Sequence, residues 1–367
     1  MPFSSGPNTV NNSIIFAYDT GDSVNSYKGE PTTNYWNGNP FSIYNDGATN
    51  VRNSTDVPPP LPGYEVIKVT ANTIGTYGQC ILWNATYPNN NVATITNSTY
   101  AYLTLGDYVQ VGQHWYPWYY GTQKNIAKNQ WVRISETYTI NEGSSYGNAA
   151  LTYSTNGIAY FAMPQYEYVS HATPFIGANQ TRSNTQGLLD VSGNGNTINL
   201  ANMTYNAAAL PSFDGTDDYT EVSNNLGVLS QYTIEHVSYL GTDSRMPISF
   251  RSGPIFYHYA DNSWYYTHGG VAGEYYYPKT FTINGWGHWT IVYNGSYVRI
   301  YRNGIYQGQQ ATTGTANWTG GMRIGNYGYG GYAWNGQIAV VRMYNRALSD
   351  SEVTQNFNQY KTRFNLQ

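Results

Sequence analysis

Apolar positions along this chain fall in short β-branched or aromatic runs, each bounded by Gly, Asn, Pro or Ser. Val66-Ile67-Lys68-Val69, Trp131 to Ile140, Tyr232 to Leu240, Trp286 to Tyr293, Tyr297 to Arg302 and Gln337 to Tyr344 are the clearest. Such runs read as strands. Asn294-Gly295 and Asn303-Gly304 separate three of them. Asn-Gly suits the positive φ angles of a type I′ turn, so 286–310 is expected to form three antiparallel strands. Closely spaced strands without helices between them predict sandwiches. One segment breaks the pattern. Ser349-Asp350-Ser351-Glu352 has the spacing of a capping box, and Val353, Phe357, Tyr360 and Phe364 follow at helical spacing. This predicts one C-terminal helix that seals the end of a sandwich core. Pro58-Pro59-Pro60-Leu61-Pro62 cannot supply ladder hydrogen bonds and reads as a stiff loop or an edge. Residues 1–12 form a polar arm, either disordered or docked on a neighbour.

Composition narrows the function. Among 367 residues there are 39 Tyr, aromatics make up 16%, and only 10% are charged, against roughly 25% in ordinary domains. Disordered chains show the opposite bias. With 17 basic and 21 acidic residues the net charge is −4. No basic excess exists to neutralise phosphates, which argues against nucleic-acid binding. A lone Cys80 rules out an intrachain disulfide and a thiolate zinc site. No run of apolar residues is long enough for a membrane helix, so no membrane insertion is expected. The start of the chain shows neither the basic nor the apolar region of a secretory signal. Asn-x-Ser/Thr triplets, as at Asn84, Asn97 and Asn202, are therefore read as a reflection of Asn- and Thr-rich composition.

The C-terminal half resembles the laminin-G-like, concanavalin A-type lectin modules frequent in bacteriophage virion proteins. The residues that carry this are Gly187 to Asn196, Phe213 to Tyr219, Trp289 to Tyr293, Val298 to Gly304, Ile324-Gly325, Trp334 to Ile338 and Val341 to Ser349. Ile14 to Asp22 with Ser26 to Gly29 resembles the opening strand and loop of the same module. In that family the opening is followed closely by the Leu-Asp-x-Ser-Gly-Asn-Gly segment, which here lies far downstream. The stretch between resembles a carbohydrate-binding-module jelly roll, through Asn129 to Ser135, Pro164 to Glu167 and Ala172 to Phe175. The resemblance implies an all-β fold of two β-sandwich (jelly-roll) domains, one concanavalin A/laminin-G-like, with a short C-terminal helix. Residues 13–34 plus 176–367 would form the lectin-like sandwich, 35–175 an inserted jelly roll, and 1–12 the arm. The ends of a compact domain usually lie close together, which permits such an insertion. A plain tandem is the alternative, and the sheet that Phe16 and Tyr18 join separates the two.

Enzymatic chemistry finds little support. Glucanases of the concanavalin type resemble one another in a Glu-x-Asp-x-x-Glu or Glu-x-Asp-x-Glu strand, and neither spacing occurs. Asp217-Asp218 are adjacent and would point to opposite faces of a strand. Gly143-Ser144-Ser145-Tyr146-Gly147 lacks the helix a nucleophile elbow needs. No enzyme activity and no cofactor are expected, with calcium as the exception to weigh. Asp190, Asp214 and Asp217 are its candidate ligands. The competing reading makes them turn residues that bond the local backbone.

The aromatic clusters are the strongest signal. The first holds Trp115, Trp118, Tyr119 and Tyr120. The second holds Trp264, Tyr265 and Tyr266 with Tyr275, Tyr276 and Tyr277. The third holds Tyr327, Tyr329, Tyr332 and Trp334. Runs of three on a strand put at least one ring outward. An exposed ring can stack on a sugar, contact another subunit, or simply pack in a core. The expectation is a virion structural protein exposed on the particle surface, as a capsid decoration or tail-associated knob, with a glycan-binding role in host adhesion. Its partners would be other virion proteins, further copies of itself in a homo-oligomer, and host surface polysaccharide. A receptor-binding lectin of the tail and a polysaccharide depolymerase are the alternatives.

Overall fold

The computed structural model describes residues 9–42, 48–71, 81–85, 93–113, 121–140, 148–150, 157–206, 208, 210–223, 225–241, 246–250, 255–258, 263–267, 275–278, 284–327 and 332–367. The protein is all-β, built of sandwiches, with one helix at Asp350–Lys361. Contacts divide it into two units, Met1–Pro31 with Ser183–Gln367, and Thr32–Arg182.

The first unit has two main sheets, with antiparallel pairing throughout. The eight-stranded one runs Thr204–Tyr205, Pro211–Asp214, Asn335–Tyr344, Tyr232–Leu240, Gly285–Tyr293, Tyr297–Arg302 and Ile305–Ala311, and Ile14–Asp19 also pairs with Asn335–Tyr344. Phe16 lies opposite Met343 and Tyr18 opposite Val341. The seven-stranded sheet runs Ile198–Asn202, Tyr219–Val222, Met322–Ile324, Ile248–Phe250, Ile255–His258, Ser263–Thr267 and Tyr275–Pro278. The core includes Phe16, Ile234, Ile291, Val341 and Met343 from the first sheet and Val222, Ile248, Phe250 and Ile324 from the second. Phe250 stacks on the fully buried Trp318 at 4.7 Å.

The three expected strands over 286–310 are present, but their two turns differ. Asn303 and Gly304 both have positive φ, at 49° and 74°, as a type I′ turn requires. At the other turn only Gly295 does. There the Asn294 carboxamide oxygen accepts from the Ser296 and Tyr297 amides at 3.0 and 2.8 Å, so an Asx turn replaces the type I′ geometry.

The helix begins as its sequence predicts. The Ser349 hydroxyl accepts from the Glu352 amide at 3.3 Å, and Glu352 accepts from the Ser349 amide at 2.9 Å. It does not seal the end of the sandwich. It lies on the outer face of the eight-stranded sheet, where Phe357 and Tyr360 pack on Val237, Ala339 and Val340, and Val353 packs with Val292, Tyr301 and Tyr344. The central strands are consequently buried on both sides, which is why Tyr232–Leu240 and Asn335–Tyr344 are almost continuously inaccessible.

That outer interface contains a polar network. Glu235, fully buried, takes a 2.5 Å hydrogen bond at His288 Nε2 and a 2.8 Å bond from Asn356 Nδ2. Asn356 also donates to the Tyr344 hydroxyl at 3.0 Å and accepts from the Val10 amide at 2.8 Å. Tyr344 in turn donates to the Val10 carbonyl at 2.9 Å, and Arg342 donates to the Tyr360 hydroxyl at 2.8 Å. His288 Nδ1 has no partner among the described residues. A proton there would be buried without an acceptor, so the ring carries its proton on Nε2 and donates it to Glu235. Burial opposes the Arg342 charge, but the adjoining Tyr360, Tyr344 and Glu235 outweigh it and raise the Arg342 pKa. Burial pushes the neighbouring His236 down to about 3 and keeps it neutral. Residues 9–12 thus dock on their own domain, while residues 1–8 of the expected arm lie outside the described residues.

The second unit pairs a five-stranded sheet (Ala48–Val51, Val66–Ala71, Ile158–Glu167, Ala93–Leu105, Trp131–Ile140) with a four-stranded one (Trp36–Ser42, Ile81–Ala85, Asn148–Ala150, Gly112–Gln113). Ile67, Val69, Leu103, Ile134 and Phe161 belong to its core. Its two ends lie side by side, since Thr32–Thr33 pairs with Thr181–Arg182. Buried polar groups bind these ends together. Glu167 accepts from the Thr32 hydroxyl at 3.0 Å and from the Thr173 amide at 3.2 Å, and Asn34 donates to the Ile176 carbonyl at 3.0 Å. The proline cluster is outside any strand, and the Pro58 carbonyl accepts from the Trp131 indole at 2.8 Å.

Two measurements test this account. Asn356→Ala leaves the Glu235 carboxylate and the Val10 amide buried without their partner, and should cost about 2–4 kcal/mol in denaturant unfolding; a change under about 0.5 kcal/mol would contradict it. The second concerns the cap. Hydrogen bonds from Arg346, at 2.9 and 2.6 Å, together with the Ser349 amide, hold the Glu352 carboxyl down to about 2. A depressed carboxyl stabilises the fold above its ordinary pKa and loses that effect as pH falls through the folded value. Thermal melts should therefore fall less steeply in Glu352→Gln than in wild type between pH about 4.5 and about 2.

Candidate functional site

The outer face of the seven-stranded sheet follows from strand alternation. In Tyr219–Val222, Thr220 and Val222 are buried while Tyr219 and Glu221 are half-buried. Arg323 of the next strand lies opposite Glu221, with its guanidinium 4.4 Å from the Tyr219 ring and 3.6 Å from the Glu221 carboxylate. Sequence reasoning did not single out this trio. The period-two burial of Tyr219 to Val222 was the available signal. Further along the sheet, Ser249 donates to the Asn326 carbonyl at 2.8 Å and thereby anchors the start of the Gly-rich loop.

The aromatic candidates separate by position. Trp115, Trp118, Tyr119 and Tyr120 lie outside the described residues, as does Tyr329. The register sets Tyr257, Tyr265 and Tyr276 directly opposite one another, and likewise His258, Trp264 and Tyr277. Tyr275 pairs with Tyr266. Tyr266 itself is 1% exposed and belongs to the core. It is therefore packing, not a surface aromatic. Trp334 requires the same correction. It is 0% exposed, its amide donates to the Gly325 carbonyl at 2.7 Å, and its ring lies among the inter-sheet residues. Gly325 at φ 92° allows this crossing, since a Cβ there would meet the Phe213 ring at 2.1 Å. Of the third cluster, Tyr327 is half-buried and Tyr332 is 41% exposed, their rings 6.2 Å apart in an edge-on pair.

The acidic candidates also divide. Asp190 Oδ1 accepts from the Ala17 and Ser192 amides, both at 2.9 Å. Its Oδ2 accepts from the Ser192 hydroxyl at 2.8 Å and from the Asn196 amide and carboxamide at 3.1 and 2.7 Å. Those five bonds fill its lone pairs, so Asp190 is a loop-organising residue and not a cation ligand. Asp214 and Asp217 join Asp218, with oxygens within 4.8 Å of one another. Asp218 is buried and holds Thr204 through its amide at 3.0 Å and its hydroxyl at 2.8 Å, and the Asp214 amide at 2.8 Å. Burial raises its pKa against these bonds, and the Asp214 charge raises it further. Asp214 and Asp217 are exposed, and one Asp214 oxygen accepts from the Thr216 amide at 2.7 Å. Free lone pairs on these two carboxylates and one on Asp218 fit the oxygen-donor requirement of calcium.

Residues 214–354 match the family described as the concanavalin A-like lectin/glucanases superfamily. That stretch runs from the Asp214 turn to the start of the helix and lies wholly in the first unit. No curated protein matches the chain. Among solved structures, a heptameric SAP-like pentraxin from Limulus polyphemus is similar at 16% identity, over 39% of this chain and 78% of that one, with a TM-score of 0.34. The binding domain of botulinum neurotoxin DC in complex with rat synaptotagmin II is similar at 16% identity, over 48% and 50%, with a TM-score of 0.37. The botulinum neurotoxin serotype D ligand binding domain in complex with N-acetylneuraminic acid gives 15% identity, over 48% and 49%, and a TM-score of 0.37. The chain spans about half the length of these neurotoxin domains.

The two tryptophan and tyrosine assignments in the Gly-rich segment can be separated by stability. Trp334→Ala should cost about 3–5 kcal/mol, whereas Tyr332→Ala should stay within about 0.5 kcal/mol. Equal losses in urea unfolding would contradict the placement of the two rings.

Proposed function

We propose that this chain is a non-enzymatic surface protein of a tailed-bacteriophage virion, a capsid decoration or tail-associated knob, whose lectin-like unit binds host glycan. One observation carries the preference for binding over hydrolysis: four buried acids of the first unit are occupied. Asp19 holds Arg363 at 2.6 Å, Asp22 holds the Val24 and Asn25 amides at 3.1 and 2.9 Å, Asp218 holds Thr204, and Glu235 holds His288 and Asn356. A glycosidase needs two carboxyl groups facing each other across a cleft, and these four are committed to the scaffold. The match to the concanavalin A-like lectin/glucanases superfamily over 214–354 supports glycan recognition.

The low charge of the chain suits a protein repeated many times on a particle, because like-charge repulsion between copies stays small. It supports association with virion proteins and with further copies of itself. The pairing of Phe16 with Met343 and the adjacent ends of the second unit support reading residues 35–175 as a jelly roll grafted into the first loop of the lectin-like sandwich. Calcium, where it binds, is assigned to Asp214 and Asp217 with Asp218 behind them. A tail receptor-binding lectin would use the same unit, with the exposed Tyr332 beside Tyr327 as its accessible aromatics.

The purified chain should associate with capsid or tail proteins, bind glycans on an array without neighbouring subunits, and release no reducing ends from host capsule. Sustained release of reducing ends would overturn the non-enzymatic reading, and failure to associate with any virion protein would overturn the structural one. Calcium titration followed by calorimetry should show heat with wild type and lose it in Asp217→Asn.

A further inference from the structure

Where the two ends of the second unit come together, three buried polar side chains meet. Gln165 and Glu167 stand two residues apart at the end of the strand Ile158–Glu167, so they share one of its faces. Thr173 comes from the segment that follows the strand. None of the three is more than 1% exposed. The Gln165 Nε2 donates to the Thr173 hydroxyl at 3.0 Å, and that hydroxyl donates to the Glu167 carboxylate. The Pro174 carbonyl is its more distant acceptor, at 3.3 Å. The Gln165 Oε1 accepts from the Ile176 amide at 2.9 Å, which fixes the amino end of the carboxamide toward Thr173. Glu167 is itself held by the Thr32 hydroxyl at 3.0 Å and the Thr173 amide at 3.2 Å, and the Arg133 charge lies close to it. Arg133 also donates to the Thr173 carbonyl.

Acyl transfer needs a nucleophile beside a base, an acyl carbon within reach, and a donor on the oxygen that gains charge. Thr173, Glu167, Gln165 and the Ile176 amide supply these parts in that order. We propose that they form an internal cross-link, an ester between Thr173 Oγ1 and Gln165 Cδ. Attack requires the carboxamide to turn about its last side-chain bond, so that its carbon meets the hydroxyl. Glu167 takes the hydroxyl proton as Oγ1 adds an electron pair to Cδ. The carbonyl π pair moves onto Oε1, and the Ile176 amide receives the negative charge. As that pair returns, the Cδ–Nε2 bond breaks. Nε2 keeps its electrons, takes the proton from Glu167, and leaves as ammonia. One hydroxyl and one carboxamide thus give one ester and one ammonia, with no oxidant and no further reactant. Burial shields the ester from water. The tie joins the last strand to the segment that leaves the unit, in a chain whose lone cysteine can form no intrachain disulfide. It closes a short loop, so it acts on local opening of this end of the unit rather than on global stability.

The test is mass spectrometry of the purified full-length chain. The intact protein should be lighter than its sequence by one ammonia. Chymotrypsin cleaves after Tyr166 and Tyr168, and the fragment carrying Gln165 should stay joined to the fragment carrying Thr173 until mild alkali separates them. Thr173→Ser keeps a hydroxyl and should still lose ammonia. Thr173→Val should have the full sequence mass and yield separate fragments, with melting curves showing that it is folded. Glu167→Gln should slow the reaction, leaving a fraction of the chain at full mass. Wild type at full mass would overturn the proposal whatever the variants do. So would loss of ammonia with the two fragments separate, which is the signature of a succinimide at an asparagine elsewhere, or loss of ammonia that persists in Thr173→Val. Complete cross-linking in Glu167→Gln would overturn the role of Glu167 as the base.

Discussion

The fold of the first unit hangs on the carboxylate of Glu235, buried in the middle of a sheet that is covered on both sides. An acid in that position is tolerable only if its hydrogen-bonding capacity is filled and a positive charge lies near. Both conditions are met by groups from far apart in the chain. His288 comes from the adjacent strand, Asn356 from the helix, and Arg342 from the strand on the other side. Asn356 extends the chain of bonds to Val10, almost at the beginning of the described residues. The network therefore fixes the two ends of the unit on one face of one sheet. Fully satisfied, such a network specifies a single arrangement; half satisfied, it would destabilise it.

From that anchor the functional surfaces follow. Because the helix lies over the outer face of the sheet, the turn after it carries Phe364 to the ends of two interior strands, where its ring meets that of Trp286 beside Tyr239. Because the inner face is filled by apolar residues of both sheets, Trp334 and Tyr266 are consumed by packing. The aromatic surplus is thus divided by the sheets into core and surface, and the accessible part includes Tyr332 in the Gly-rich loop. The polar groups gathered around Glu235 serve the scaffold.

The sequence made much of this legible. The Asn303-Gly304 turn, the capping box and the strands between Tyr232 and Tyr344 could be read directly, because turn chemistry and capping depend on residues close together in the chain. Asn294-Gly295 misled, since the Asn294 side chain found nearer donors in Ser296 and Tyr297 than a type I′ turn offers. The helix was legible as a helix, but its stripe of Val353, Phe357 and Tyr360 names an apolar face without naming what it covers. Asn356, polar in the midst of that face, was the clue to a buried partner. Tyr266 and Trp334 could not be told from surface rings, because a run of aromatics on a strand fixes alternation and not which parity is inward. The meeting of Tyr239, Trp286 and Phe364 was invisible for a simpler reason: only the placement of the helix brings them together.

The proposed display on a virion, with glycan recognition there, is decided by imaging the particle. Electron cryo-microscopy of the assembled phage should show density for this chain at the outer surface, on the capsid or at the tail. Density confined to the particle interior, or a particle without the chain, would contradict it.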